Sequence, residues 1–320
     1  MQNKISDILE IVLITYNRLP HLKNTLEALF SENSPIKKYN LTLTILDNAS
    51  TDGSSDLCGE YAAKYPNIKH IRRHKNIGGN ANIARAFEIA QKEYVWIICD
   101  DDFYDWSAWE ETENAVKSNL YDAVLTLKKS IKTDTDYPKI AKELTFLPAA
   151  IYKTSNITDG VLHNVYANVP NMFPHLAVAC ALINKGKKFY LPSKDLIPQR
   201  GGDTTPVKVL YLRGYDETYK PDSVRNMFWG LGYINSIQLI EDKKMRDNIL
   251  NNTSSSGFFT FIFSRFSRPN KRDYNGDDRN FYTVWTCLNF WQKIQFLFAS
   301  TIANILYFYV YPLQLIKRIK

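Results

Sequence analysis

Residues 94–102 read Tyr94-Val95-Trp96-Ile97-Ile98-Cys99-Asp100-Asp101-Asp102. Six apolar residues in a row, rich in aromatic and β-branched side chains, match a strand that a sheet buries on both faces. The run ends directly on three carboxylates. Upstream, Ile11 to Ile14, Leu41 to Leu46 and Ile68 to Ile71 are three more short β-rich runs. Between them, apolar residues recur at helical spacing. Leu22, Leu26 and Leu29-Phe30 mark one helix; Ser50-Thr51-Asp52-Gly53 forms a turn or N-cap before a second that reaches Lys64; Ile83, Phe87 and Ile89-Ala90 mark a third. Short strands separated by helices imply an α/β fold with a mostly parallel sheet flanked by helices. Ligands of such sheets lie beyond the carboxyl ends of the strands. The polar residues placed there are Thr15-Tyr16-Asn17, Asp47-Asn48 and Asp100-Asp101-Asp102.

Beyond Asp102 the pattern loosens. Trp106 to Ser118 reads as a helix, Ala123 to Leu127 as a strand, and the polar residues 130–145 as a surface loop. Leu176 to Ile183 is an apolar helix and Lys187 to Leu191 a further strand. Residues 192–206, rich in Pro and Gly, suit a mobile loop, and Asp222 to Leu250 reads as one long helix. The polar stretch 251–257 is a composition break and reads as a linker. The chain therefore divides into a globular part over 1–250, with halves 1–105 and 106–250, and a tail over 258–320.

The 320 residues are 45% hydrophobic and 23% charged, which is a globular composition. The charge is unevenly placed. Of the net +7, the tail holds +6, from nine Lys/Arg against three Asp. It also holds 17 of the 43 aromatic residues. Phe296 to Ile316 runs 21 residues without a charge, with Lys293 before it and Lys317-Arg318 after it. A bilayer takes about 20 residues to span, yet this run contains Ser300, Thr301, Asn304, Pro312 and several tyrosines. Aromatic residues with basic flanks favour the membrane interface. The expectation is a helical tail lying on an anionic membrane surface, with packing onto the globular part as the alternative. Nucleic acid is not an expected partner. Four cysteines lie far apart with no CxxC pair, which argues against a disulfide scaffold or a cysteine-based zinc site and fits a reducing compartment. Asp7 and Glu10 precede or interrupt a short apolar run at the start, so no signal peptide is expected.

Three adjacent carboxylates repel one another. A hard divalent cation, Mn²⁺ or Mg²⁺, is a natural partner, and where it also holds a diphosphate it needs only one or two carboxylates. A solvated acidic turn capping the next helix is the other reading. Three segments bear on the choice: VLITYNR at 12–18, LDNASTDGSSD at 46–56, and NIGGNANIARAFEIAQKEYVWIICDDD at 76–102. In this order and spacing they resemble family 2 glycosyltransferases with the GT-A fold, of the kind that builds bacterial surface glycans. The resemblance is good over 8–105, weaker over 106–250 and absent from the tail. A GxGxxG dinucleotide fingerprint is missing.

The resemblance implies an inverting transferase that takes a sugar from a nucleotide-sugar, usually a UDP-sugar, with 1–105 binding the donor and 106–250 the acceptor. It implies that Thr15, Tyr16 and Asn17 line the nucleoside pocket and that Asp47 accepts a hydrogen bond from the base. Asn76, Gly78 and Gly79 would form the turn approaching the nucleoside, and Arg85 could face the diphosphate or simply sit on a helix surface. Of the family's Asp-x-Asp metal motif, Asp101 and Asp102 are expected on the metal and Asp100 near the ribose. Counting without a gap from Asn76 instead puts Cys99 and Asp101 on the motif's two acids. The family often places an acidic pair, as general base, at the start of a helix in the acceptor half. Here that segment is Asn171-Met172-Phe173-Pro174-His175, with no acid. His175 is a chemically credible base, since imidazole titrates near neutral pH; it could equally cap the helix. Asp195 and Asp203 are the alternatives. The acceptor is expected to be lipid-linked or a surface glycan, met at the cytoplasmic face of the plasma membrane. A non-catalytic membrane scaffold with a degenerate transferase fold is the competing function.

Overall fold

The computed structural model describes residues 4–128, 131–198 and 232–252, together with positions 290, 293, 294, 297, 298 and 301. Seven strands form one sheet: β1 (Leu9–Thr15), β2 (Thr42–Asp47), β3 (Ile68–Arg72), β4 (Tyr94–Cys99), β5 (Ala123–Leu125), β6 (Ala150–Lys153) and β7 (Phe189–Tyr190). Their order is β3-β2-β1-β4-β6-β5-β7. β1 pairs in parallel with β2 and β4, β2 with β3, and β5 with β7, while β6 runs antiparallel between β4 and β5. The sheet is thus mixed and mostly parallel, as expected.

Side chains alternate faces along each strand, so a doubly covered sheet splits its apolar residues between two cores. Val12, Leu46, Val95 and Ile97 enter one core, against Ile83 and Phe87 of the helix Gly79–Glu88 and the apolar helix Leu176–Asn184. Ile11, Leu13, Ile45, Trp96 and Ile98 enter the other, against Leu22 and Leu26 of the helix Leu19–Leu29, Cys58 of the helix Ser54–Lys64, and Trp109 of the helix Trp109–Ser118. The result is a three-layer sandwich in which both faces of β1 and β4 are dry.

Four expectations need correction. Residues 130–145 are not a plain loop, because Pro138 starts a short helix, Tyr137–Glu143, that buries Ile140 and Ala141. The strand β6 has no counterpart among the expected elements. β5 stops at Leu125 instead of Leu127. The single helix expected over 222–250 breaks within its described part. Residues 232–237 are helical, and a new helix, Lys243–Asn252, begins where Asp242 Oδ1 accepts the Met245 N–H at 2.7 Å. Asn184 seals the break by donating to the Leu239 carbonyl at 2.8 Å and accepting the Glu241 N–H at 3.0 Å. This helix also takes in the first two residues of the expected linker. Asp203 and nearly all of the tail lie outside the described residues.

Candidate active site

Chain order sets where a site can form. β2 and β3 step away from β1 on one side, and β4 returns on the other. The sheet order therefore reverses between β1 and β4, the place where such sheets open a crevice at their carboxyl ends. Strand register lines up what stands there. Arg72 is opposite Asp47, Asp47 opposite Thr15, and Ile14 opposite Cys99. One lateral row thus carries Arg72, Asp47 and Thr15, with the three carboxylates next to it.

The loops after β1 and β2 clasp each other. The Asn17 N–H donates to Ser50 Oγ at 2.9 Å, and Asn17 Oδ1 accepts the Thr51 N–H at 2.7 Å. Asn17 (φ +48°) and Ala49 (φ +68°) are both left-handed, a conformation that costs a non-glycine residue roughly 1–2 kcal/mol and often marks functional turns. Asp52 ties the same loops to two helices by accepting the Leu19 and Ser54 N–H groups at 2.9 and 3.0 Å. Tyr16 is half-buried beside them.

Asp47 is fully buried. Its Oδ1 accepts the Ser50 N–H at 2.8 Å, while Oδ2 lies 3.5 Å from Arg72 Nε and 3.9 Å from His70 Nε2 and takes no hydrogen bond. Burial opposes the charge, yet the donors at His70 and Ser50 prevail and hold the carboxyl below its ordinary range. The carboxylate is therefore ionised, and its Oδ2 is buried beside Arg72 and His70 without a hydrogen bond. On the next turn, Asn76 Oδ1 accepts from Asn48 Nδ2 at 2.7 Å and from the Gly78 N–H at 2.8 Å. Gly78, with φ +88° and ψ 151°, occupies a region only glycine enters readily and starts the helix Gly79–Glu88. Arg85, in the last turn of that helix, pairs with Glu88 at 2.6 Å, and Tyr166 also bonds Glu88.

The three carboxylates point different ways. Asp100 turns inward, accepts from Thr15 Oγ1 at 2.7 Å and faces Arg18 Nη1 at 3.2 Å. Asp101 is partly exposed and pairs with Arg18 Nη2 at 2.8 Å. Asp102 folds back to accept the Cys99 N–H at 2.8 Å. One ligand atom each from Cys99, Asp101 and Asp102 lies within 4.8 Å of the others. Burial pushes Asp100 up to about 7 and raises Asp102 well above the carboxylate range. A nearby cation would reverse both effects. Two carboxylate oxygens suit hard Mn²⁺ or Mg²⁺, so the donor set fits such an ion. Burial also raises the Cys99 thiol, which keeps it protonated and a poor ligand.

Beyond Asp102 the two base candidates separate. His175 is 2% exposed, its Nε2 lies 3.3 Å from the Thr145 carbonyl, and its ring meets Phe173 edge to face. It stands inside the core, with no open path to a hydroxyl. Burial lowers its pKa to about 4, which also makes it a weak base at neutral pH. Asp195 sits instead beyond β5. β5 and β4 both run antiparallel to β6, so their carboxyl ends share one edge of the sheet. Asp195 Oδ1 accepts the Lys128 N–H at 2.6 Å, and the next carbonyl, of Leu196, accepts the Asp105 N–H at 2.8 Å. That second bond ties the Asp195 loop to the segment leaving Asp102.

The buried histidine has a thermodynamic consequence. Its folded pKa of about 4 lies below the unfolded value of 6.5. Its contribution is therefore complete above pH 6.5 and is lost as pH falls toward 4, because only the unfolded chain takes up the proton there. At 1.36 kcal/mol per unit the loss is about 3 kcal/mol. Urea unfolding at pH 7, 5 and 4 is expected to show a steeper loss for the wild type than for His175→Gln. A constant difference between the two across that range would mean that His175 is not held neutral.

Comparison with known proteins matches this geometry. The chain is 28% identical over 161 residues to a poly(ribitol-phosphate) beta-glucosyltransferase of Bacillus spizizenii, covering 46% of this chain and 25% of that one. It spans between 25% and 42% of the length of such curated relatives. In fold it resembles the mannosyltransferase PcManGT from Pyrobaculum calidifontis, solved with GDP-Man and Mn²⁺, at a TM-score of 0.55, 16% identity and coverage of 93% and 86%. It also resembles S. aureus TarS 1–349 in complex with UDP, at 0.54, 14%, and 92% and 90%. The sheet and its flanking helices are thus GT-A-like. A family model matches residues 10–178, more than half of the sequence and the whole of the crevice from β1 to the Asp100–Asp102 turn, and the chain belongs to glycosyl transferase family 2.

Proposed function

We propose that this chain is an inverting, metal-dependent glycosyltransferase that moves a sugar from a UDP-sugar to a lipid-linked or surface-glycan acceptor. The observation that carries the reading is the placement of an ionised, half-satisfied Asp47 and the Asp101–Asp102 pair along one carboxyl edge, on either side of the sheet's reversal point. Asp47 Oδ2 would accept the imide N–H of uracil, a charge-assisted bond that cytosine cannot supply. Thr15, Tyr16, Asn17 and the Asn76–Gly78 turn would line the nucleoside. Asp101 and Asp102 would hold Mn²⁺ or Mg²⁺, whereas Asp100, expected near the ribose, is turned inward onto Thr15 and Arg18 and would hold Arg18 in place instead. When bound, the ion supplies Lewis-acid neutralisation of the departing diphosphate. Asp195, at the same edge, would take the proton of the attacking hydroxyl, and a single displacement inverts the anomeric carbon. The name of the Bacillus relative, a transferase acting on poly(ribitol-phosphate), supports a surface-glycan acceptor.

The test is nucleotide release from a panel of UDP- and GDP-sugars, with Mn²⁺ and with EDTA. UDP release that needs the metal is expected. Release from GDP-sugars alone overturns the base assignment, and release of neither nucleotide overturns the enzyme reading.

We further propose that the tail rests on anionic lipid at the cytoplasmic face of the plasma membrane. Among the described residues no helix is long and apolar enough to cross a membrane. Phe290, Ile294, Leu297 and Phe298 are helical and all exposed. At helical spacing, positions 290, 294, 297 and 298 would share one face. An apolar face beside Lys293, in a tail of net +6, suits a helix lying in the interface, where each Lys or Arg adds about 1 kcal/mol near anionic lipid. Removing residues 258–320 is expected to abolish sedimentation with anionic vesicles and to slow transfer to lipid-linked acceptors, while slow hydrolysis of the donor persists. Equal partition of the full chain and the truncated chain on those vesicles would refute the proposal.

A further inference from the structure

Arg18 spans the reversal point of the sheet. It leaves the loop after β1, its carbonyl accepts the Leu22 N–H at 2.9 Å to open the helix Leu19–Leu29, and its guanidinium reaches the turn after β4. There the two terminal nitrogens divide between Asp100 at 3.2 Å and Asp101 at 2.8 Å. Asp101 is also one of the two carboxylates fitted to a divalent ion. The same carboxylate oxygens therefore face two claims, one from a resident single positive charge and one from a double charge. Asp100 and Asp101 have different anchoring. Asp100 is buried and also held by Thr15, whereas Asp101 and the Arg18 side chain are each more than a quarter exposed, so the Arg18–Asp101 arm is the one free to exchange.

We propose that Arg18 is a placeholder cation that couples metal loading to donor binding. In the chain without ligand it neutralises Asp101. When a divalent ion takes Asp101, the freed terminal nitrogen of Arg18, still anchored through Asp100, turns to an oxygen of the nucleotide diphosphate beside the ion. A guanidinium suits this exchange because its planar fork can hold a carboxylate with one nitrogen and a phosphate with another. The helix it opens adds to the preference for an anion there. The charge balance is consistent: a divalent ion exceeds the positive charge it displaces, and the displaced charge meets the two negative charges of the diphosphate.

This inference rests on the metal-dependent reading above, and its test separates the two. Mn²⁺ is titrated into the full-length chain without nucleotide and followed by the loss of free-ion EPR signal. UDP is then titrated calorimetrically at saturating Mn²⁺. Arg18→Met, which keeps length and removes charge, is expected to bind Mn²⁺ roughly fivefold more tightly, the scale of a part-exposed ion pair. It is expected to bind UDP roughly 10- to 100-fold more weakly, the scale of a hydrogen bond to a charged group. Arg18→Lys is expected to leave Mn²⁺ affinity near that of the wild type and to recover only part of the UDP affinity, since an ammonium lacks the fork. Folding of each variant is checked by circular dichroism. A folded Arg18→Met that binds Mn²⁺ no more tightly, or UDP as well as the wild type, makes Arg18 a structural tie and overturns the proposal alone. A wild-type chain that takes up no Mn²⁺ overturns it together with the metal reading.

Discussion

Asp102→Asn is expected to lower sugar transfer by roughly 10²–10⁴-fold while the chain stays folded. A Lewis-acid ion at a diphosphate is worth several kcal/mol, and each 1.36 kcal/mol is a factor of ten in rate. Folding should survive for a reason visible in the site. Burial already raises the Asp102 carboxyl well above its ordinary range, so in the absence of a cation the fold tolerates the neutral form. The asparagine carbonyl can still accept the Cys99 N–H that Asp102 Oδ2 now takes. Asp101→Asn should behave alike in transfer and in Mn²⁺ affinity. Asp100→Asn should cost less in Mn²⁺ affinity, because that side chain is spent on Thr15 and Arg18. The measurement is initial transfer rate against Mn²⁺ concentration for the three variants, with thermal melts alongside. If Asp101→Asn and Asp102→Asn keep rates within tenfold of the wild type and resist EDTA, the metal assignment is wrong.

What could be read before folding, and what could not, follows from the range of each interaction. β1, β2 and β4 are legible because a strand buried on both faces is mostly apolar, and Val12, Ile45 and Ile97 carry that signature despite the buried Glu10 and Thr44. β6 is not, since its four residues sit between two 3₁₀ turns and take their strand character from the partners Trp96 and Val124. The break at Asp242 is a local capping signal that the surrounding helical spacing hides.

The site divides in the same way. Asp47 and Asp100–Asp102 stand out because acids at strand ends have a local signature. Arg72 does not, because it meets Asp47 only through the register of β2 and β3. Arg18 lies one residue past the quoted Thr15-Tyr16-Asn17, but its role depends on a turn more than 80 residues away. His175 shows the opposite error. A polar residue before an apolar helix reads as a cap or a catalytic group, and only the packing of Thr145 and Phe173 around it reveals a core histidine.

With His175 enclosed in the core, Asp195 is the base candidate at the site's edge, and Asp195→Asn is expected to reduce turnover by roughly 10²–10⁴-fold, the contribution of a positioned general base. The change is chemically narrow. An asparagine carbonyl can keep the bond from the Lys128 N–H, now 2.6 Å long, so the loop should hold its course along β5. The neighbours Leu196 and Ile197 are buried and remain anchored through Thr126 and Asp105. What the variant loses is the ability to accept a proton at neutral pH. UDP and Mn²⁺ affinities should hold, because the proposed donor and metal contacts come from Asp47, Asp101 and Asp102 and not from Asp195. Two measurements decide it: turnover with acceptor at saturating donor, and UDP affinity by calorimetry. A fall in turnover with unchanged UDP affinity assigns the proton transfer to Asp195. If both hold, the base is another residue; if UDP affinity falls with turnover, Asp195 shapes the donor pocket and the assignment fails.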